Sequence, residues 1–123
     1  MSYCFKITAL LILFSFSIST SKAQDFQSAG DYMDYITKAN QKITAVYLSY
    51  LSAMAHNKSA RKVEKRRQET VNLIFDTRMN VQGMPPWKGD RSYRDSSVAF
   101  FKLLYNVFNE DYAKIVNMEE IAE

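Results

Sequence analysis

"YMDYITKANQKITAVYLSYLSAM", Tyr32 to Met54, decides the fold class. Apolar residues fall at Tyr32, Ile36, Ala39, Ile43, Val46 and Tyr50, with a second row at Tyr35, Tyr47, Leu51 and Met54. Steps of three and four, sustained over roughly six turns, put these side chains on one side of a long amphipathic helix. A strand would alternate with period two, and no segment of this chain does so convincingly.

Working outward, "AHNKSA" (55–60) reads as a helix end and a new start. Asn57 suits the left-handed position after a helix, and Ser59 suits the N-cap of a second helix from Ala60. That helix carries Val63, Thr70, Ile74, Thr77 and Val81 on one face, widened by Val71, Leu73 and Phe75, and stops at Gly83 before Pro85-Pro86. A third helix is expected after Ser92, with Asp95 three residues on as an acidic capping-box partner. Its stripe is Val98, Phe101, Leu104, Tyr105, Phe108, Tyr112 and Ile115, and Asn109-Glu110-Asp111 allows a break. The last residues, "NMEEIAE" (117–123), look like another helix being started.

Long helices joined by short turns imply an all-α, antiparallel up-down bundle of three helices plus the start of a fourth. Because Met118, Ile121 and Ala122 lack an evident partner, the chain is expected to be C-terminally truncated or completed by a helix from another chain. The exposed apolar edge of such a fragment should follow Phe101, Tyr105, Phe108 and Ile115, with their neighbours in the first helix.

The opening residues have one early Lys, an apolar run from Ile7 to about Ile18 and the small-x-small ending Ser21-Lys22-Ala23. This is the pattern of a secretory signal peptide over 1–23, too short to span a bilayer, leaving one domain over 24–123 and no transmembrane segment in the mature chain. The sole cysteine, Cys4, lies inside the leader, so the expected product is periplasmic or at the cell surface, without a lipoprotein anchor or disulfide. Of 16 Lys and Arg residues, Lys6 and Lys22 leave with the leader; 14 basic then face 13 acidic side chains, and nucleic-acid binding is not expected.

The corner "GMPPWKGDRSYRDS" (83–96) gathers both prolines and the only tryptophan. Each special residue has a turn-forming or capping role. Gly83 ends a helix, Pro85-Pro86 blocks it, and Gly89 and Asp90 permit a reversal. Trp87 should close the end of the core with Met84 beside it, leaving Asp90, Arg91 and Arg94 on a solvent-facing rim.

Together with "AMAHNKSARKVEKRRQETVNLI" (53–74) and "LYNVFNEDYAKIVNMEEIAE" (104–123), the segment "MPPWKGDRSYRDS" (84–96) resembles a family of secreted bacterial helical proteins, the leptospiral-type surface proteins also common in Bacteroidetes. The likeness spans nearly the whole mature chain. It implies a secreted helical bundle that continues beyond Glu123, and it implies no catalytic or ligand residues.

The chemistry-bearing residues are sparse. His56 and Ser52 are one turn apart, but no neighbour in sequence orients the imidazole or forms an oxyanion site. One histidine and no mature cysteine leave too few ligands for a metal or haem, and no cofactor is expected. Glu119, Glu120 and Glu123 read as a solvated helix start rather than a cation site. The run "KSARKVEKRRQE" (58–69) has a local excess of positive charge; it either faces water, with Lys65 paired to Glu69, or meets an anionic surface or envelope component. Arg67 falls on the apolar stripe and needs a partner if buried, with Asp31, Asp34 and the acids near the chain end as candidates. Tyrosines on the first and third helices line either the core or a groove for a sugar or apolar ligand.

These patterns point to a non-enzymatic exported envelope or surface protein that binds a partner or ligand. Candidate ligand-binding residues are Trp87, Arg91, Arg94, Arg67, Tyr47 and Tyr50. The alternatives are a carrier of an apolar or glycan ligand between helices, and an enzyme using carboxylates and tyrosines in a bundle cleft.

Overall fold

A computed structural model of the chain describes residues 25–56 and 58–115. The expected signal peptide, Asn57 and the expected helix start at 117–123 with its three glutamates lie outside the described residues. The described residues form three α-helices and no strand: α1 (Ala29–Ala55), α2 (Ala60–Gln82) and α3 (Ser92–Asn106). A π-helical turn, Val107–Asp111, follows at the expected break, and α-helix resumes over 112–115.

α2 is the central helix, with α1 and α3 packed along it. Tyr32, near the start of α1, donates its hydroxyl to the carbonyl of Pro85 just beyond the end of α2. Tyr47 and Tyr50, near the other end of α1, meet Phe108 and Tyr112 beyond α3. The three helices therefore run up, down and up, as the short connections require.

The ends show how local sequence sets these directions. Ser28 Oγ accepts the Asp31 amide at 3.0 Å and donates to the Asp31 carboxylate at 2.8 Å, so α1 starts with a cap and a first-turn acid. Its other end closes through a Lys58 amide bond to the Ala53 carbonyl at 3.1 Å, a Schellman-type 6→1 contact. α2 starts at Ala60 as expected, yet Ser59 makes no side-chain cap bond.

α3 departs from expectation. Ser92 is its first helical residue, and its amide donates to Asp90 Oδ1 at 2.8 Å, while the Asp95 carboxylate takes Arg94 Nε at 2.8 Å. The predicted Ser92–Asp95 capping box does not form because Asp90, fixed by the preceding turn, already covers the Ser92 amide.

Tyr50, Phe101, Ile74, Met84, Val63, Val81 and Thr70 are the most deeply buried side chains. Three residues expected in apolar stripes, Leu51, Phe75 and Ile115, are exposed. Phe75 instead packs on the outer flank against Tyr105, with ring centroids 6.0 Å apart, and the Arg78 guanidinium lies 5.5 Å from its ring. Of the predicted exposed edge, Phe101 and Phe108 are buried, Tyr105 is half-buried and Ile115 is exposed. α3 is apolar on two faces, and the face of Phe101 is the buried one. Tyr93, Phe100 and Leu103 of α3 and Met33 and Leu48 of α1 are exposed, and Tyr93 and Phe100 line a 290 Å³ groove with Ile36, Thr37 and Asn40 of α1.

Candidate functional site

Three groups of side chains stand out, and the corner after α2 is the first. Trp87 and Asp90 exchange backbone hydrogen bonds of 3.0 and 2.9 Å around Lys88 and Gly89, closing a two-residue hairpin one residue earlier than the Gly89-Asp90 reversal expected from the sequence. Both central residues have positive φ, 49° at Lys88 and 86° at Gly89. Glycine adopts this without penalty, whereas a lysine there is strained. Trp87 is half-buried, its ring 6.0 Å from that of Tyr32, with buried Met84 beneath the same end of the core. Arg94 does not stand on a solvent rim as predicted: its Nη1 donates to the Met84 carbonyl at 2.9 Å, latching the corner to α3. The free Met84 carbonyl after a helix end is what draws it in. Arg91 remains exposed at the N-cap of α3. Hydrogen bonds from Ser92, the backbone amide foremost, hold the Asp90 carboxyl below its ordinary pKa, and burial raises that of Tyr32.

The second group surrounds Arg67, which is 6% exposed. Its Nε and Nη2 fork onto the Glu64 carboxylate at 2.7 and 2.6 Å, and Nη1 donates to the Phe108 carbonyl at 2.7 Å. The partner is thus neither Asp31 nor Asp34 but a residue one turn earlier on the same helix, because three-residue spacing lets the guanidinium turn back along its own face. The bond to Glu64 is the main cause that raises the Arg67 pKa further. Tyr47, Tyr50, Phe108 and Tyr112 pack beside it, with Phe108 and Tyr112 stacked at 4.7 Å and Tyr50 edge-on to Tyr112 at 5.6 Å. The Tyr47 and Tyr112 hydroxyls lie 3.4 Å apart, and this contact, ahead of burial, raises the Tyr112 pKa. Arg67 and Tyr50 are thus buried in the core, and Tyr47 is half-buried against it.

Ser52 and His56 do approach, with Oγ and Nδ1 3.4 Å apart, but Nδ1 lies closer, at 2.8 Å, to the Ser52 carbonyl. A carbonyl only accepts, so Nδ1 carries the proton and has no lone pair to activate the serine.

The third group is only partly visible in the sequence. Between the end of α1 and the start of α2 lies a groove of about 410 Å³ lined by Ser49, Ser52, Ala53, Lys58, Lys62, Lys65 and Arg66. The predicted Lys65–Glu69 pair does not form: Glu69 takes Arg66 at 2.8 Å, and Glu64 takes Arg67. Among the described residues Lys58, Lys62 and Lys65 have no carboxylate within ion-pair distance. Arg61 and Lys62 also occupy the positive pole of α2, whose first turn has no acid and whose N-cap serine makes no cap bond. Lys62 and Arg66 add a like-charge pair one turn apart, unfavourable by a few tenths of a kcal/mol. The helix thus begins with uncompensated positive charge facing a concavity with two hydroxyls. Sequence reasoning does not single out Ser49 and Ser52 as ligands, although their spacing of three places them on one helix face.

No family model, curated protein or solved structure matches the chain. Among the described residues there is no group of three or more His, Cys, Asp or Glu side chains positioned to hold a metal ion, and no helix is long and apolar enough to cross a membrane.

Proposed function

We propose that this is an exported, non-enzymatic envelope protein that binds a phosphate-bearing envelope component through the groove between α1 and α2. The observation that carries this reading is the set of three lysines without carboxylate partners around one concavity. Lysine ammonium groups act as mobile point charges toward phosphate, and serine hydroxyls add neutral donors. An anion seated there offsets both the like-charge repulsion and the bare positive end of α2. The leader-like first residues and the resemblance to secreted surface proteins support an envelope component as the ligand. Of the side chains an enzymatic reading would use, Tyr47, Tyr50 and Tyr112 pack together and the His56 imidazole donates to a carbonyl.

An amide NMR titration of the mature protein, from Gln24 onward, with inorganic pyrophosphate tests the reading. Saturable shifts are expected at Ser49, Ser52 and Lys62, with Trp87 unmoved. Uniform small shifts across the surface, or none, would rule the groove out as a site.

A further inference from the structure

The opposite end of the bundle presents a further concavity, of about 470 Å³, lined by Phe26, Tyr32, Pro85, Pro86 and Trp87, with Asp25 and Lys88 at its rim. Its volume falls within the range of about 300–1,000 Å³ usual for small-ligand sites. The apolar wall is preorganised: Phe26 stands edge-on to Tyr32 at 5.0 Å, and Tyr32 is tied to the Pro85 carbonyl at 3.0 Å. Two features of the rim bear on what the cup holds. Asp25 and Lys88 carry opposite charges at one cup, yet among the described residues neither makes an ion pair. Lys88 also occupies a left-handed turn position that glycine or asparagine fills with less strain, and its ammonium lies 5.5 Å from the Trp87 ring centroid. Strain retained at a cleft is an observation that points toward function.

We infer that this cup is a binding site for a pyranose ring, with the sugar's C–H face against the aromatic and proline wall and its hydroxyls donating to Asp25 and accepting from Lys88. A sugar matches each part of the lining. Its apolar face suits rings that have a hydrophobic body, and its hydroxyls need both an acceptor and a donor at the rim. A ligand of single charge would leave one of the two rim groups opposed. The inference is independent of the phosphate reading, because a neutral sugar binds without dependence on salt.

The only tryptophan in the chain lies in this cup, so its fluorescence reports on the site directly. Mature wild-type protein titrated with chitotetraose and, in parallel, cellotetraose is expected to show a saturable emission change with at least one of them, unaffected by added salt. Lys88→Gly relieves the turn and is expected to raise Tm while weakening binding several-fold. Asp25→Asn is expected to weaken binding without altering Tm. No saturable change with either saccharide up to about 10 mM, or unaltered binding in both variants, overturns the proposal. Saturation by a proline-rich peptide but by neither saccharide overturns it as well.

Discussion

Arg67 of α2 donates to the backbone carbonyl of Phe108 at 2.7 Å, joining the first half of α2 to the π-helical turn after α3. The same guanidinium is neutralised by Glu64, so one buried cation fixes two elements at once. Arg67→Ala leaves the Phe108 carbonyl short of a donor and removes a buried stem. It is expected to destabilise the protein by about 3 kcal/mol in urea unfolding. Arg67→Lys should recover little of this, because an ammonium cannot form the fork.

Tyr32→Phe keeps the ring against Trp87 and Phe26 but removes the bond to Pro85. A loss of about 1 kcal/mol is expected, measured by the same unfolding experiment. A loss near that of a full core truncation would mean that the hydroxyl does more than tie the corner down.

Asp90 gives the α3 start a pH dependence. Its folded-state pKa is lowered by the bonds from Ser92, so its stabilising contribution is present above the unfolded carboxyl value and is lost as pH falls through the folded one. Asp90→Ala should therefore lower Tm at neutral pH, and the difference from wild type should vanish in strong acid. A difference that persists unchanged below the carboxylate range would show that the effect is not one of charge.

The tyrosine pair behaves in the opposite sense. The Tyr112 pKa is raised, so its contribution is complete below the unfolded phenol value and fades as pH climbs through the folded value. Tyr112→Phe should thus flatten the alkaline side of the stability profile, monitored by far-UV circular dichroism against pH.

The helices are legible because their stripes are long: the steps from Tyr32 to Tyr50 and from Val63 to Val81 correspond to the buried rows. Leu51 and Phe75 are misplaced because a large apolar residue at the edge of a stripe is assigned inward by periodicity alone, whereas neighbouring helices decide whether that edge is covered. The cap of α3 escapes sequence reasoning for a related cause. Asp90 is held by a hairpin whose central lysine has positive φ, a conformation that lysine seldom adopts and that propensity does not suggest. The charge run from Lys58 to Glu69 is visible, but not which cations are paired. That choice depends on Glu64 and Glu69 turning to Arg67 and Arg66 rather than to lysines. The cup near Trp87 joins residues about sixty positions apart, and sequence spacing carries no signal for it.

The most direct measurement of the central claim is co-sedimentation of the chain from Gln24 onward with vesicles of phosphatidylcholine alone and of phosphatidylcholine with phosphatidylglycerol, for wild type and for the Lys62→Glu, Lys65→Glu double variant. Wild type should bind the anionic vesicles at low salt, release as salt is raised, and ignore neutral ones, while the variant, with unchanged helix content, binds at least tenfold more weakly. Displacement of the vesicles by inorganic pyrophosphate would mark a phosphate-specific groove rather than a diffuse surface. Equal binding by the two proteins, or no binding of wild type to anionic vesicles or pyrophosphate, would contradict the assignment of the α1–α2 groove as the anion site.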